Sequence, residues 1–195
     1  MKRLALIVLM SVCVLSAAGS SARADVLHYV PSPSDLYDLD HYSYYTWGMT
    51  AQWQAPTTVV AAKLTFTRIY DWTTENNVLY IHLLDSAPLG VRTYSDNQGG
   101  GDNFAGQGVL LKTYLNLPVT PQNLSYEFTP NQLATLNSYA ADGVFALGLD
   151  PDCHFYNSGV ELQVTTQAVQ TPEPGTLALL LCGAGLAVSR RRRAA

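Results

Sequence analysis

The sequence contains few cysteines and, away from its two ends, few basic residues. Of three cysteines in 195 residues, Cys13 and Cys182 lie in apolar segments near the ends, so Cys153 is the one cysteine between those segments. A domain formed by residues 25–170 therefore cannot contain an internal disulfide. We expect its stability to come from a hydrophobic core.

Residues 25–170 contain four Lys and Arg against fourteen Asp and Glu, which gives a net formal charge of −10. A surface this acidic repels the phosphate backbone, so nucleic-acid binding is excluded as a leading function. All twenty aromatic residues lie in the same segment. This aromatic content excludes a disordered acidic tail and indicates a folded domain.

The amino-terminal end has the three parts of a secretory signal peptide. Lys2 and Arg3 precede an apolar run over residues 4–18, and small residues follow up to Ala24. We predict a signal peptide over residues 1–24, with cleavage after Ala24. The alternative is a membrane anchor, but 15 residues form a helix of about 22 Å, shorter than a hydrocarbon core of about 30 Å.

The carboxy-terminal end combines a proline motif, a short apolar segment and a basic cluster. The motif is Pro172-Glu173-Pro174, and the apolar segment covers residues 175–188. The basic cluster consists of Arg190, Arg191, Arg192 and Arg193. The apolar segment is marginal for crossing a membrane alone, but its small residues and the neighbouring arginines allow a thin or protein-assisted span, so we predict a short transmembrane helix. The arginines should stay on the cytoplasmic side, which leaves residues 25–170 outside.

These three features, in this order, resemble the PEP-CTERM sorting signal of exported proteins from Gram-negative bacteria, a tail type also named after an ice-binding protein. The resemblance covers residues 171–195. It implies that an exosortase, a membrane transpeptidase-like enzyme, recognises the tail and processes it near the proline motif. It also implies a membrane-anchored or extracellular protein associated with extracellular polysaccharide. An ordinary membrane anchor is the alternative.

Phrases within residues 25–170 are also similar to a group of uncharacterised PEP-CTERM proteins. The phrases are Ile69-Tyr70-Asp71-Trp72, the segment 96–102 and the segment 150–154. This similarity implies no activity for the domain.

Hydrophobic alternation predicts an all-β domain. Leu64 and Phe66 alternate with Thr65 and Thr67, as in a half-buried strand, whereas residues 78–84 are apolar on both parities, as in a strand covered on both faces. Further strands are predicted at 90–94, 109–115, 124–128, 144–149 and 160–166. Seven or eight short strands at this spacing favour an antiparallel β-sandwich or jelly roll.

One short helix interrupts the strands. Thr129 is a suitable N-cap, Pro130 fits the first helical position, and Gly143 closes the segment. The polar stretch 31–45 is predicted to be a loop, and residues 74–77 are predicted to be a hairpin turn.

The aromatic run from Tyr42 to Trp47, with Trp53 and Trp72, suggests a carbohydrate-binding surface. Aromatic rings on one face can stack on sugars, and neighbouring Asp and Asn side chains can hydrogen-bond to sugar hydroxyls. Tyr44, Trp47 and Trp72 are the predicted stacking residues. The alternative is that these rings fill the core of the sandwich.

A glycine-rich acidic loop suggests calcium as a ligand. Asp96 and Asp102 flank three glycines, and Asp150 and Asp152 offer further oxygen ligands. The spacing does not match an EF-hand loop. A solvated loop without an ion is the alternative, and no other cofactor is predicted.

Enzymatic signatures are missing from residues 25–170. The segment has no Gly-x-Ser-x-Gly, His-Glu-x-x-His or phosphate-binding glycine motif. His82 lies in an apolar strand and is predicted to be a hydrogen-bonded core residue. Cys153 and His154 are adjacent, and adjacent strand residues point to opposite faces, which argues against a nucleophile pair.

These observations predict an exported, non-enzymatic protein of the cell surface or extracellular matrix. The first alternative is a carbohydrate-binding module that serves extracellular polysaccharide. The second alternative is a secreted hydrolase, because paired catalytic carboxylates leave no sequence signature among fourteen acids.

Overall fold

The computed structural model describes residues 24–73, 75–96 and 100–169. The predicted sorting signal and, except for Ala24, the predicted signal peptide lie outside these ranges. The described residues form ten strands and one α-helix: β1 (Ala24–Tyr29), β2 (Ser43–Thr50), β3 (Thr57–Asp71), β4 (Val78–Leu84), β5 (Gly90–Ser95), β6 (Val109–Leu115), β7 (Gln122–Glu127), α1 (Pro130–Tyr139), β8 (Val144–Pro151), β9 (Phe155–Tyr156) and β10 (Gly159–Ala168).

The strands form two five-stranded sheets. The first sheet has the order β1-β10-β3-β7, with the short strand β9 paired to β3. The second sheet has the order β5-β2-β8-β4-β6. All strand pairs are antiparallel. The predicted all-β sandwich with one short helix is confirmed.

The core lies between the two sheets. Leu64 and Phe66 of β3 are fully buried and belong to one cluster with Ile81 of β4 and Phe145 and Leu147 of β8. Burying one such side chain contributes about 1.5–3 kcal/mol, so the opposed faces drive the pairing of the sheets. The threonines that alternate with them in β3 are less buried, as the period of two predicts.

Helix α1 closes one end of the sandwich. Thr129 caps it through a capping box with Gln132, which confirms the predicted start. Asn137 fastens the helix to β3, because its side chain accepts a hydrogen bond from the Val59 N–H at 2.7 Å and donates one to the Val59 carbonyl at 3.0 Å. The helix ends at Tyr139, and a 3-10 turn over Ala140–Asp142 precedes Gly143.

The outer face of the second sheet is partly covered by the loop between β5 and β6. Phe104 of this loop packs with Leu84 and Ala146 in a small second cluster. Its ring lies so close to Gly148 that a Cβ atom there would come within 2.8 Å of it. This cover explains why β4 is apolar on both parities, although only one of its faces meets the other sheet.

Two loop predictions are wrong in part. The stretch 31–45 is not all loop, because β2 begins at Ser43. Residue 74 lies outside the described residues, and residues 75–77 do not belong to a hairpin turn, because β3 and β4 lie in different sheets and their connection crosses between the sheets. Turn-forming residues such as Asn and Asp occur both in hairpins and in connections between two sheets, so the sequence does not distinguish these connections.

Strand directions distinguish the two ends of the sandwich. β3 and β8 end, and β2 begins, at the end that we call the loop end. β1 begins and β10 ends at the other end, where Ala24 pairs with Gln167. Within the described ranges, no helix has the length and apolar character needed to cross a membrane.

Candidate functional site

A cleft opens at the loop end of the sandwich, between the β1–β2, β3–β4 and β8–β9 connections. It encloses about 360 Å³. Its lining consists of Tyr37, Asp38, Asp40, Ser43, Tyr45, Trp72, His154, Phe155 and Tyr156. Aromatic and acidic side chains predominate, which is the composition of a site that stacks on a ring and accepts hydrogen bonds.

Backbone hydrogen bonds hold the walls of the cleft together. The Phe155 N–H donates to the Leu39 carbonyl at 2.9 Å, and both of these side chains are buried. The Trp72 N–H donates to the His154 carbonyl at 3.4 Å. Main-chain hydrogen bonds therefore hold the three connections together, so the cleft is already formed before a ligand binds.

One wall of the cleft has an unusual backbone. Leu36, Tyr37 and Asp38 have φ angles of 58°, 62° and 49°, in the left-handed region that costs a non-glycine residue about 1–2 kcal/mol. The fully buried Leu36 side chain offsets this cost, as does the Asn157 side-chain amide, which donates to the Asp35 carbonyl at 2.8 Å. The turn leaves Tyr37 exposed beside the cleft. Strain of this kind is often found at functional loops.

Aromatic and imidazole rings form a continuous row across the cleft, which we call the ring row. Its centroid separations are 5.7 Å for Tyr70–Tyr156, 6.0 Å for Tyr156–Trp72, 5.1 Å for Trp72–His154, 4.2 Å for His154–His41 and 3.8 Å for His41–Tyr42. Trp72 is 52% exposed and Tyr156 is 38% exposed. A contiguous exposed group of large rings is uncommon on a monomeric surface and marks an interaction site.

The predicted stacking residues do not form one platform. Trp47 is only 3% exposed and belongs to the core, so its assignment as a sugar-stacking residue is wrong. Tyr44 is partly buried against Phe104 and stacks on Tyr94, outside the cleft. Only Trp72 lines the cleft. Side chains alternate in β2, so Trp47 shares the inner face with Tyr45 while Tyr44 points to the outer face.

Asp40 meets two members of the ring row, His41 and His154. Their ligand atoms all lie within 4.8 Å of one another, and the three residues are partly buried. Nδ1 of His154 lies 3.2 Å from Oδ1 of Asp40. The sequence did not reveal this cluster, because His41 and His154 are far apart in the chain and no local motif connects them.

The four acids that were predicted as calcium ligands lie in one region of the loop end. Asp150 is fully buried and accepts a hydrogen bond from the Asn103 N–H at 2.6 Å. Asp152 accepts one from the Gly101 N–H at 3.2 Å. Burial, together with repulsion from Asp96 and Asp152, raises the pKa of Asp150 to about 6.

These acids do not form a tight ligand set. Among the described residues, one group of at least three His, Cys, Asp or Glu side chains has its ligand atoms within 4.8 Å of one another. This group consists of Asp40, His41 and His154. Residues 97–99 of the predicted calcium loop lie outside the described residues. Calcium binding by Asp96, Asp102, Asp150 and Asp152 therefore stays a prediction.

His82 is buried, and both of its ring nitrogens have partners, as predicted for a core residue. Nε2 lies 2.9 Å from a carboxylate oxygen of Asp102, and Nδ1 lies 3.2 Å from the Gln107 carbonyl. These two contacts fasten the β5–β6 loop to β4.

The side chain of Cys153 contacts the side chains of Asp71 and Thr73. Its buried Sγ donates to Oδ1 of Asp71 at 3.4 Å and lies 3.2 Å from Oγ1 of Thr73. Burial raises the pKa of this thiol. A protonated thiol beside a carboxylate is a poor nucleophile, which agrees with the expectation from the sequence.

No protein-family model matches the chain, and no curated protein matches it. Solved structures give distant matches. Recombinantly expressed latent aurone synthase, a polyphenol oxidase, shares 8% identity at a TM-score of 0.41 over 65% of this chain and 25% of its own. This chain therefore spans about a quarter of that structure's length.

Two carbohydrate-binding modules also match. The CBM6cm-2 module of Cellvibrio mixtus lichenase 5A, in complex with cellotriose, shares 6% identity at a TM-score of 0.29 over 80% of this chain and 92% of its own. The CBM22-1-GH10 modules of Clostridium thermocellum xylanase 10B, complexed with xylohexaose, share 9% identity at a TM-score of 0.28 over 74% of this chain and 29% of theirs. Likeness at this level assigns no function.

Proposed function

We propose that this protein is an exported, non-enzymatic carbohydrate-binding protein and that the cleft at the loop end is its sugar site. The observation that supports this proposal is the exposed pair Trp72 and Tyr156 above an acid-lined cleft of about 360 Å³. This volume lies near the lower end of the range for small-molecule sites.

The two rings supply the apolar contact. Trp72 and Tyr156 lie 6.0 Å apart with their planes tilted by 54°, so they form an angled surface. One face of a pyranose ring presents C–H groups that pack on such a surface. A contact with one aromatic ring contributes about 1 kcal/mol.

The polar contacts come from the same lining. Asp38, Asp40 and Ser43 offer acceptors to sugar hydroxyls, and hydrogen bonds to a carboxylate are stronger than neutral ones. The same carboxylates, together with the net charge of −10 of residues 25–170, repel anionic polymers. We therefore expect a neutral or amino-substituted polysaccharide as the ligand, and weak binding to uronic-acid or sulfated polymers.

The cleft lies away from the residues at which the described domain starts and ends. β1 begins at Ala24 and β10 ends at Ala168, both at the end of the sandwich opposite the cleft. Neither residue lines the proposed sugar site.

Replacing Trp72 with alanine should weaken sugar binding about fivefold, because it removes one stacking ring worth about 1 kcal/mol. The measurement is a polysaccharide array followed by calorimetry, with the purified full-length chain. Tyr94→Ala is the matched control, since Tyr94 is an exposed ring outside the cleft lining. Equal binding by wild type and Trp72→Ala, or equal loss in Tyr94→Ala, would contradict the proposal. Release of reducing ends from the bound glycan would instead support the secreted hydrolase.

The proposal also includes how the protein is exported and sorted. We expect a signal peptidase to cut after Ala24, which leaves Asp25–Tyr29 paired with β10. An exosortase then acts on the tail near Pro172, Glu173 and Pro174.

Mass spectrometry of the protein from its native host should find a mature chain that begins at Asp25. Replacement of Arg190, Arg191, Arg192 and Arg193 by glutamine should impair retention or processing, because these charges fix the tail on the cytoplasmic side. Replacement of Arg68 and Arg92 by glutamine is the control. Intact full-length chain in the cytosol of that host would refute this part of the proposal.

A further inference from the structure

We propose that Asp40, His41 and His154 form a binding site for a divalent transition metal ion, with Zn²⁺ as the best match. The proposal goes beyond sugar binding and does not depend on it. It rests on three ligand atoms within 4.8 Å of one another, on two imidazoles and on one carboxylate.

The ligand chemistry selects the class of metal. Imidazole nitrogen with one carboxylate oxygen suits Zn²⁺ and its transition-metal neighbours, whereas Ca²⁺ and Mg²⁺ prefer sites made of oxygen alone. Two bound ligands on the same metal cannot be farther apart than about twice a metal–ligand distance, which for distances of about 2.0–2.2 Å is about 4.4 Å. The observed cluster is close to this limit, so small side-chain rotations are enough to close it.

The ligands are held near each other by neighbours that are themselves fixed. Leu39 precedes Asp40 and Phe155 follows His154, and the 2.9 Å hydrogen bond between their main chains ties the two segments together. The Asp40 carboxylate is oriented by its own turn, because its Oδ1 accepts a hydrogen bond from the Tyr42 N–H at 3.1 Å. Preorganisation of this kind reduces the ordering cost of binding.

The contact between His154 and Asp40 shows what the ion would replace. Nδ1 of His154 and Oδ1 of Asp40 lie 3.2 Å apart, a separation that two ligands of one ion can have. A bound ion would contact both atoms in place of their direct contact with each other.

The surrounding charge favours a cation. Asp38 lines the same cleft, and Asp152 interacts electrostatically with His41. Three protein ligands leave a fourth position for water or a ligand hydroxyl, as in open zinc sites. Trp72 lies next to the cluster, with its ring centroid 5.1 Å from that of His154.

Zinc titration of the untagged, purified full-length chain by calorimetry tests the site. We expect one Zn²⁺ per chain, and we expect His41→Ala and His154→Ala each to weaken binding by more than about 100-fold, because even loss of an outer-shell partner costs about 10- to 100-fold. His28→Ala is the matched control, since His28 is exposed and pairs with Glu161 away from the cluster. Co²⁺ should give visible absorption bands in the wild type and in His28→Ala and lose them in both cluster variants.

Three results would overturn the site: no Zn²⁺ binding, undiminished binding in His41→Ala and His154→Ala, or an equal loss in His28→Ala. Circular dichroism without metal checks that each variant is folded. Asp40→Asn, which preserves shape and removes the charge, should also weaken binding, and it replaces any alanine variant that does not fold. Sugar binding is measured without added metal, so failure of the metal site leaves the proposed sugar site separately testable.

Discussion

Replacing Asn77 with alanine should lower the free energy of unfolding by about 3 kcal/mol, because it leaves several buried groups without partners. Asn77 is 3% exposed. Its amide donates to Oδ2 of Asp71 at 2.6 Å and to the Leu117 carbonyl at 3.0 Å, and its oxygen accepts from the Leu117 N–H at 2.7 Å. The Asn77 side chain thus satisfies the Leu117 main-chain groups, which no neighbouring strand pairs with at the connection between the two sheets.

Urea unfolding of the full-length chain measures this effect, and Asn76→Ala is the control because Asn76 is an exposed neighbour. The control should change the free energy of unfolding by less than about 0.5 kcal/mol. A loss below about 1 kcal/mol for Asn77→Ala would mean that water satisfies these groups and that the network contributes little.

The same network positions the candidate site. Asp71 also accepts hydrogen bonds from the Thr73 N–H and hydroxyl, both at 3.0 Å, and from the Cys153 thiol. It therefore links the segment that contains Trp72 to the segment that contains His154. We expect Asn77→Ala to weaken sugar binding as well as stability, even though Asn77 does not line the cleft.

Replacing Asp150 with asparagine should change how stability depends on pH. The pKa of Asp150 is raised from 3.8 to about 6 by burial and by Asp96 and Asp152. Below about pH 4 the carboxyl is protonated in both the folded and the unfolded chain, and its full contribution to stability is present. Between these two pKa values the unfolded chain ionises first, so stability falls as pH rises.

The wild type should therefore lose up to about 3 kcal/mol relative to Asp150→Asn between about pH 4 and about pH 8, from 1.36 kcal/mol for each pKa unit. The measurement is urea unfolding at each pH with a chelator present. Asp142→Asn is the control, because Asp142 is an exposed acid near helix α1. Parallel curves for the wild type and Asp150→Asn would show that the folded carboxyl titrates normally.

Repeating the series with excess calcium tests the predicted ligands Asp96, Asp102, Asp150 and Asp152. A bound cation would relieve the repulsion, so calcium should raise the melting temperature of the wild type at high pH. The shift should be lost in Asp150→Asn and in Asp102→Ala. An equal melting temperature in calcium and in chelator would remove the calcium hypothesis.

Local patterns were sufficient for most of the fold. Alternation at Leu64 and Phe66 identified β3, and Thr129 with Pro130 identified the start of α1, because these signals depend only on residues within one element. The crossing from β3 to β4 was taken for a hairpin. Whether a turn joins two strands of one sheet or crosses to the other sheet depends on distant pairing partners.

The candidate site depends even more on contacts between residues that are distant in the sequence. The four acids predicted as calcium ligands come from two parts of the chain that the fold brings near each other, since Asp96 and Asp102 repel Asp152. Asp96 and Asp152 directly follow strands, whereas Asp150 lies within β8 and Asp102 lies within the β5–β6 loop. Calcium ligation by these acids stays a prediction.

The stacking residues were mostly misplaced. Tyr45, Trp47 and Met49 are alternate residues of β2 and therefore lie on one face of the strand. This apolar face could have assigned Trp47 to the core.

The sequence by itself determined the β-rich architecture, the helix cap, the lack of an internal disulfide and the acidic charge, since these follow from composition and from periods of two and 3.6 residues. Only the tertiary structure decided which rings are exposed and which side chains meet. Asp40, His154 and Trp72 come from three connections far apart in the chain. Their contact follows from strand order and burial, which are set by long-range packing and not by neighbours in sequence.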